Sequence, residues 1–309
     1  MRTLKKPERF LSSILLLSVV PITFAVDFFP EKKTDLPLTL VKEGRGAVQR
    51  GVEYLIDQQK SDGSWLHSPA VTGLACMALH RSGTDKLVLS RKKAVDTARR
   101  YLLKNVHSDG AICSEQRHYV NYSTAICLST LAVLDNAADI DVMRDARHFL
   151  IGLQLDEDHA THPTTKDNPF YGGIGYGSAG PSRPDLSNTQ WALEALYLTE
   201  HLDREPYCKS KEIATKADLT WQKALRFLEA VQKMPETQNG TWVVTEENDG
   251  GFIYKPTESK ASLKYHDETL RSYGSMTYAG LKSMIYADVK KDDPRVRAAV
   301  EWAARHYTL

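Results

Sequence analysis

Cysteine is scarce: Cys76, Cys113, Cys127 and Cys208 are the only four in 309 residues, and no C-x-x-C or H-E-x-x-H spacing occurs. That excludes a disulfide-dense scaffold and leaves a structural zinc site without sequence support, so neither a metal nor any other cofactor is expected. An excess of one charge is also missing. Lys and Arg number 40 against 39 Asp and Glu, a formal net charge of +1, with no basic cluster of the kind that grips a phosphate backbone. No nucleic-acid partner is therefore expected. Long apolar runs are lacking outside the N-terminus, and the mean hydropathy is −0.40 with 42% hydrophobic residues. Those values exclude a polytopic membrane protein as well as a disordered chain. The length suits one large domain or two small ones, with apolar residues enough for a core.

The N-terminus has its own composition. Arg2, Lys5, Lys6 and Arg9 precede an apolar run from Leu11 to Val20, and Thr23-Phe24-Ala25 places small residues at cleavage spacing. Residues 1–25 are laid out as a secretory signal peptide, and the run is short for a bilayer span. The alternative reading is an uncleaved N-terminal anchor. Removal of 1–25 leaves 36 basic and 38 acidic residues, so the small positive balance belongs to the export signal. The expected location is secreted or periplasmic, with no integral membrane span after cleavage. Residues 26–44, with Pro30 and Pro37, read as an irregular lead-in.

From residue 45 onward the chain repeats itself. An aromatic or Leu pair inside a helical pattern recurs at Tyr54-Leu55, Tyr101-Leu102, Phe149-Leu150 and Phe227-Leu228, with a weaker copy at Trp302-Ala303. Each of the first four is followed by a less polar helical run entered through a threonine: Thr72, Thr124, Thr189 and Thr277. Between them lie glycine turns, at Asp62-Gly63-Ser64-Trp65, Asp109-Gly110-Ala111-Ile112, Tyr171-Gly172-Gly173-Ile174 and Asp249-Gly250-Gly251-Phe252. Asp-Gly and Gly-Gly supply the positive φ that tight turns need. The pattern predicts an all-α fold of amphipathic outer helices alternating with more buried inner helices. Residues 294–309 read as a fifth outer helix, with Val296, Ala299, Val300 and Ala303 on its apolar face.

At Gln59-Lys60-Ser61-Asp62-Gly63-Ser64-Trp65, with a looser copy at Gln238-Asn239-Gly240-Thr241-Trp242, the sequence resembles the QW repeat of squalene–hopene cyclases. The resemblance covers about residues 45–309. It implies the α/α toroid of terpenoid cyclases and protein prenyltransferase β subunits, here with about four and a half helix pairs and an incomplete ring. An open ring further implies closure by an oligomer or a partner chain.

Pro184-Asp185-Leu186-Ser187-Asn188-Thr189-Gln190 is similar to the family's D-x-D-D-T segment, whose middle Asp protonates the substrate. That position is Ser187 here, and a serine hydroxyl is too weak an acid for the step, so proton-initiated cyclisation is not expected. Asp185 is the carboxylate that persists and is the candidate catalytic residue. Ser187 and Gln190 also fit an S-x-x-Q capping box at a helix start. The prenyltransferase zinc ligands have no counterpart: Asp109 and Cys113 are four apart, and no His stands among Ser272-Tyr273-Gly274-Ser275, although His266 lies nearby.

The intervals from outer helix to inner threonine, Gln59–Thr72, Val106–Thr124, Gln154–Thr189 and Gln232–Thr277, are 13, 18, 35 and 45 residues. All end at inner-helix N-termini, so the elaborated loops are predicted to gather at one pole, where function is built on a rigid scaffold. Arg117, His118, Tyr122 and Arg271 fall in these loops. The candidate ligand-binding residues are Tyr171, Tyr176, Arg183, Asp185, Asn188, Tyr254 and Tyr273. Aromatic rings with a few Arg suit an apolar isoprenoid-like molecule, a peptide or a glycan. The expected function is to bind an apolar, isoprenoid-like ligand in a central cavity; the alternatives are a non-catalytic peptide- or glycan-binding module, or a polysaccharide lyase or hydrolase using Asp185 and Asp249.

Overall fold

A computed structural model describes residues 37–83, 87–177, 183–234, 249–256, 258–261 and 270–307. The regular structure in these segments is helical: α1 (Leu38–Gln58), α2 (Pro69–Arg81), α3 (Val88–Lys104), α4 (Val120–Leu134), α5 (Ile140–Gly152), α6 (Leu186–Leu198), α7 (Lys211–Val231), α8 (Gly274–Tyr286) and α9 (Pro294–His306). The export signal, the Gln238–Trp242 motif and His266 lie outside the described residues. Among those described, no helix is long and apolar enough to cross a membrane.

Two kinds of helix follow from two kinds of sequence. The odd-numbered helices alternate apolar stripes with charged faces, and the even-numbered ones are poor in charge and rich in Ala, Gly, Ser and Thr. Burial sorts them accordingly. In α4 every side chain from Val120 to Ala132 is buried except Tyr122, whereas α1 buries only Val52 fully. The even helices pack in a row, α2 on α4, α4 on α6 and α6 on α8. Odd helices cover the row, with α3 on α2, α5 on α4 and α9 on α8. Close approach within the row depends on small residues: a Cβ on Gly73 of α2 would stand 2.8 Å from Thr130 Oγ1 of α4.

The glycine turn is the part that repeats most faithfully. Gly63, Gly110, Gly172 and Gly250 adopt φ of 92°, 88°, 83° and 81°. Each presses on the next odd helix, so that a Cβ would meet Thr97 O at 2.5 Å, Asp145 O at 2.4 Å, Lys223 O at 1.8 Å or Ala298 Cβ at 2.7 Å. Two residues after each glycine, a backbone N–H donates to the threonine of the following even helix: Trp65 to Thr72, Ile112 to Thr124, Ile174 to Thr189 and Phe252 to Thr277, at 3.0–3.1 Å. The glutamine ending the odd helix completes the joint. Gln59 donates to Gly63 O and Ala94 O, Gln154 to Gly172 O and Thr220 O, and Gln232 to Gly250 O and Arg295 O. A buried turn thereby finds partners for its backbone within its own repeat and on the next odd helix. The second repeat lacks the glutamine; there His107 bonds Cys113 O.

Three details differ from the sequence expectation. The irregular lead-in ends earlier than residue 44, because Pro37, with φ −51°, starts α1 at Leu38 and its carbonyl accepts from Val41 N–H. The threonines stand in the first turn of their helices and serve the preceding loop. On α9 the buried face is Val296, Ala299 and Trp302, while Val300 is exposed, because the indole turns inward to donate to Asp249. All four cysteines are free thiols, and Cys76, Cys113 and Cys127 are buried. Burial pushes the Cys76 thiol up to about 12, so it stays protonated as a small core side chain.

Candidate functional site

The N-cap positions of the even helices are held by Ser68 for α2, Tyr119 for α4, Asp185 for α6 and Tyr273 for α8, of which Ser68 and Asp185 cap with their side chains. Asp185 Oδ1 accepts from Asn188 N–H at 2.9 Å and its Oδ2 from Asn188 Nδ2 at 2.8 Å. The predicted Ser187–Gln190 capping box is therefore not formed. The helix begins two residues earlier than that box requires, with Asp185 as the cap. Ser187 accepts from the Tyr122 hydroxyl at 2.7 Å, and Gln190 donates to Glu194.

Around Asp185 the structure gathers phenols from three loops and two helix starts. Tyr254 hydrogen-bonds Asp185, and its hydroxyl lies 3.1 Å from that of Tyr176. The Tyr176 ring lies 5.9 Å from that of Tyr119 and 5.8 Å from that of Tyr122. Lys260 Nζ sits 4.8 Å from the Tyr254 ring centroid and is paired with Glu258. The backbone ties the loops together: Leu186 N–H donates to Tyr254 O, and Asn121 N–H to Tyr176 O. Asn121 Nδ2 reaches Gly175 O and Asn188 O, while its buried Oδ1 has no hydrogen-bond partner.

The electrostatics are those of buried groups held toward their neutral forms. Burial pushes the Asp185 carboxyl above its usual range, and the hydrogen bonds from Asn188 and Tyr254 offset this in part. Burial raises the phenols of Tyr122 and Tyr273 to about 12, and Tyr254 rises as well, first by burial and then through its bond with Tyr176. These three hydroxyls stay protonated at neutral pH and act as donors. Both Asp185 oxygens are occupied as acceptors, so its geometry is that of a cap and a holder of Tyr254.

Five of the seven sequence candidates thus come together: Tyr176, Asp185, Asn188, Tyr254 and Tyr273. Tyr171 is elsewhere. It is buried beside α7, donating to Glu157 at 2.8 Å, next to the Lys223–Asp156 pair. It follows Asn168 in the turn and faces the neighbouring odd helix. Arg183 is exposed, and Arg117 pairs with Asp109 at 2.6 Å. Asp249 accepts from Gly251 N–H, Ser272 Oγ and Trp302 Nε1, the work of a turn residue. Sequence reasoning missed Tyr119 and Lys260. Aligning the four threonines brings Asp185 and Tyr273 into one register, four residues before Thr189 and Thr277, and Tyr119 stands one residue farther from Thr124. Nothing in the sequence marks Lys260. Among the described residues there is no group of three or more His, Cys, Asp or Glu side chains able to hold a metal ion.

No protein-family model matches this chain, and no curated protein matches it. A solved structure of a protein from Actinoplanes is similar over 85% of this chain and 80% of its own, at 14% identity and a TM-score of 0.36.

Proposed function

We propose that the chain is a non-catalytic glycan-binding protein built as an incomplete α/α toroid, with its site at the N-terminal pole of α4, α6 and α8. The observation that carries this reading is the convergence of Tyr119, Tyr122, Tyr176, Tyr254 and Tyr273 around one capped carboxylate. A sugar ring offers C–H faces and a rim of hydroxyls. Partly exposed phenol rings cover the first, and phenol oxygens and the Ser187 hydroxyl bond the second. The row α2–α4–α6–α8 supports the toroid. Extensive packing of α2 on α8 is missing among the described residues, in keeping with a ring left open. Export suits a protein that meets glycans outside the cell.

A second reading, an apolar isoprenoid-like ligand, is favoured by one feature: Val71, Leu74 and Ala78 form an exposed stripe on α2. The Glu194–Lys282 ion pair between α6 and α8 opposes it, since an apolar molecule lying there removes water from both charges without replacing it. Titration calorimetry of the full chain against neutral oligosaccharides and against farnesol separates the two. The glycan reading expects saturable sugar binding that Tyr119→Ala weakens about tenfold or more. Tyr119 is 64% exposed, so the melting temperature should hardly move. Binding of farnesol alone, or sugar binding indifferent to Tyr119, overturns it.

A further inference from the structure

The glycan reading concerns the pole; the helix that leads away from it carries a second set of side chains suited to the same chemistry. On α6 the residues that escape full burial are Ser187, Gln190, Trp191, Glu194, Tyr197 and Leu198. Their spacing is one helical stripe, starting at the pole and running down the inner layer. On α8 the matching stripe is Ser275, Tyr278, Lys282 and Ile285. The two face one another, since Lys282 Nζ lies 2.8 Å from Glu194 Oε2 and 5.9 Å from the Trp191 ring centroid. Glu194 is 20% exposed and Lys282 24%, so the pair still meets solvent although it stands inside the helical row. On α4, two turns below Tyr122, Ser129 is buried with its hydroxyl unpartnered.

We infer that the pole is the first of several subsites, and that an unbranched neutral oligosaccharide extends from it along α6, stacking on Trp191 and bonding Glu194 and Lys282. This rests on the glycan reading of the pole. Three observations carry the extension. The stripe is continuous with Ser187, which belongs to the pole. It holds an indole beside a paired acceptor and donor, the complement of a sugar with its hydroxyls. The pair is internally neutral, which fits an uncharged chain and gives no advantage to a uronate or a sulfated sugar. From Ser187 to Glu194 the helix rises about 10 Å at 1.5 Å per residue, the length of two or three sugar rings. The Tyr197–Tyr286 stack, with centroids 4.9 Å apart, lies beyond Glu194 and ends the run.

Affinity should therefore grow with chain length and stop. Titration of the full chain with cello-, xylo-, manno- and chito-oligosaccharides of one to six units is the test. In the series that binds, affinity is expected to rise about tenfold or more from the disaccharide to the tetrasaccharide and to level off after it. Trp191→Ala should flatten that rise and leave disaccharide binding unchanged. If Trp191→Ala does not fold, Tyr278→Ala replaces it, because Tyr278 is 42% exposed on the facing stripe and its loss spares the core. Wild type binding disaccharide with no gain from length overturns the extension and leaves the pole standing. A rise that survives the variant overturns it equally, and a chain that binds no sugar of any length overturns both.

Discussion

The glycine turns and the tyrosine pole are neighbours in space but are built on opposite plans. A turn uses glycine and threonine in fixed positions, copied from repeat to repeat and joined by glutamine in three of the four, with the threonine and glutamine side chains bonded to backbone. The pole uses each of its residues once, bonds side chain to side chain, and leaves Asn121 Oδ1 buried without a partner. Repetition is what a scaffold needs, because every repeat must solve the same problem of seating a turn on the next helix. A site occurs once, so its residues break the pattern. The turn with Tyr171 in place of Asp is in the repeat that also supplies Tyr176 and Asp185.

The largest test of this contrast is at a turn. At Gly172 a methyl group meets a backbone carbonyl at 1.8 Å and a φ of 83°, so Gly172→Ala should destabilise the protein by about 3 kcal/mol or more, read by urea unfolding. Gly51, in the middle of α1 with nothing within 4 Å of the added carbon, is the control. Gly51→Ala should stabilise by up to about 1 kcal/mol. Equal effects at the two glycines would remove the argument that the turns carry the fold.

Next in size are the hydroxyls. Thr277→Val keeps shape and leaves the buried Phe252 N–H without its acceptor, at a cost of about 1–3 kcal/mol; Thr124→Val should do the same to Ile112. Ser187→Ala, at the pole, removes a bond to the half-buried Tyr122 and should cost less, about 1 kcal/mol or under. A pole hydroxyl worth more to stability than a turn hydroxyl reverses the comparison.

Repetition also decides what was legible beforehand. The four turns, the four threonines and the alternation of helices could be read directly, since each signal occurs several times and each copy corroborates the others. The α1 start could not, because residues 38–48 bury almost nothing and carry no apolar period strong enough to mark a helix. At the pole, the loop lengths and tyrosines located the region, but not its membership. Tyr171 and Tyr176 are five apart on one loop, yet one packs against α7 and the other joins the site. That division depends on how the loop turns after Gly173, whose position is set by Phe227 and Pro184 pressing on it. Asp185 and Ser187 both fit a helix cap on sequence. The choice went to Asp185 because Asn188 offers it two hydrogen bonds and Tyr122 occupies Ser187.

The smallest effect is the most informative about the pole. Burial raises the native pKa of Asp185 above the ordinary 3.8, so the native state holds its proton more tightly than the unfolded chain does. A group of that kind favours the native state at low pH, and the advantage is lost as pH rises from 3.8 through the raised native value. Asn at the same position caps a helix as well as Asp and does not ionise. The stability of the native protein relative to Asp185→Asn should therefore fall as the pH rises from 3.8 through the raised native value. Urea unfolding of both proteins across that range gives the difference directly. A difference that stays constant, or that rises with pH, means the carboxylate is settled in its site as comfortably as the turn residues are in theirs. A falling difference shows a charge kept at the pole against the preference of the fold, and the Tyr254 proton that it holds is the bond to examine for the reason.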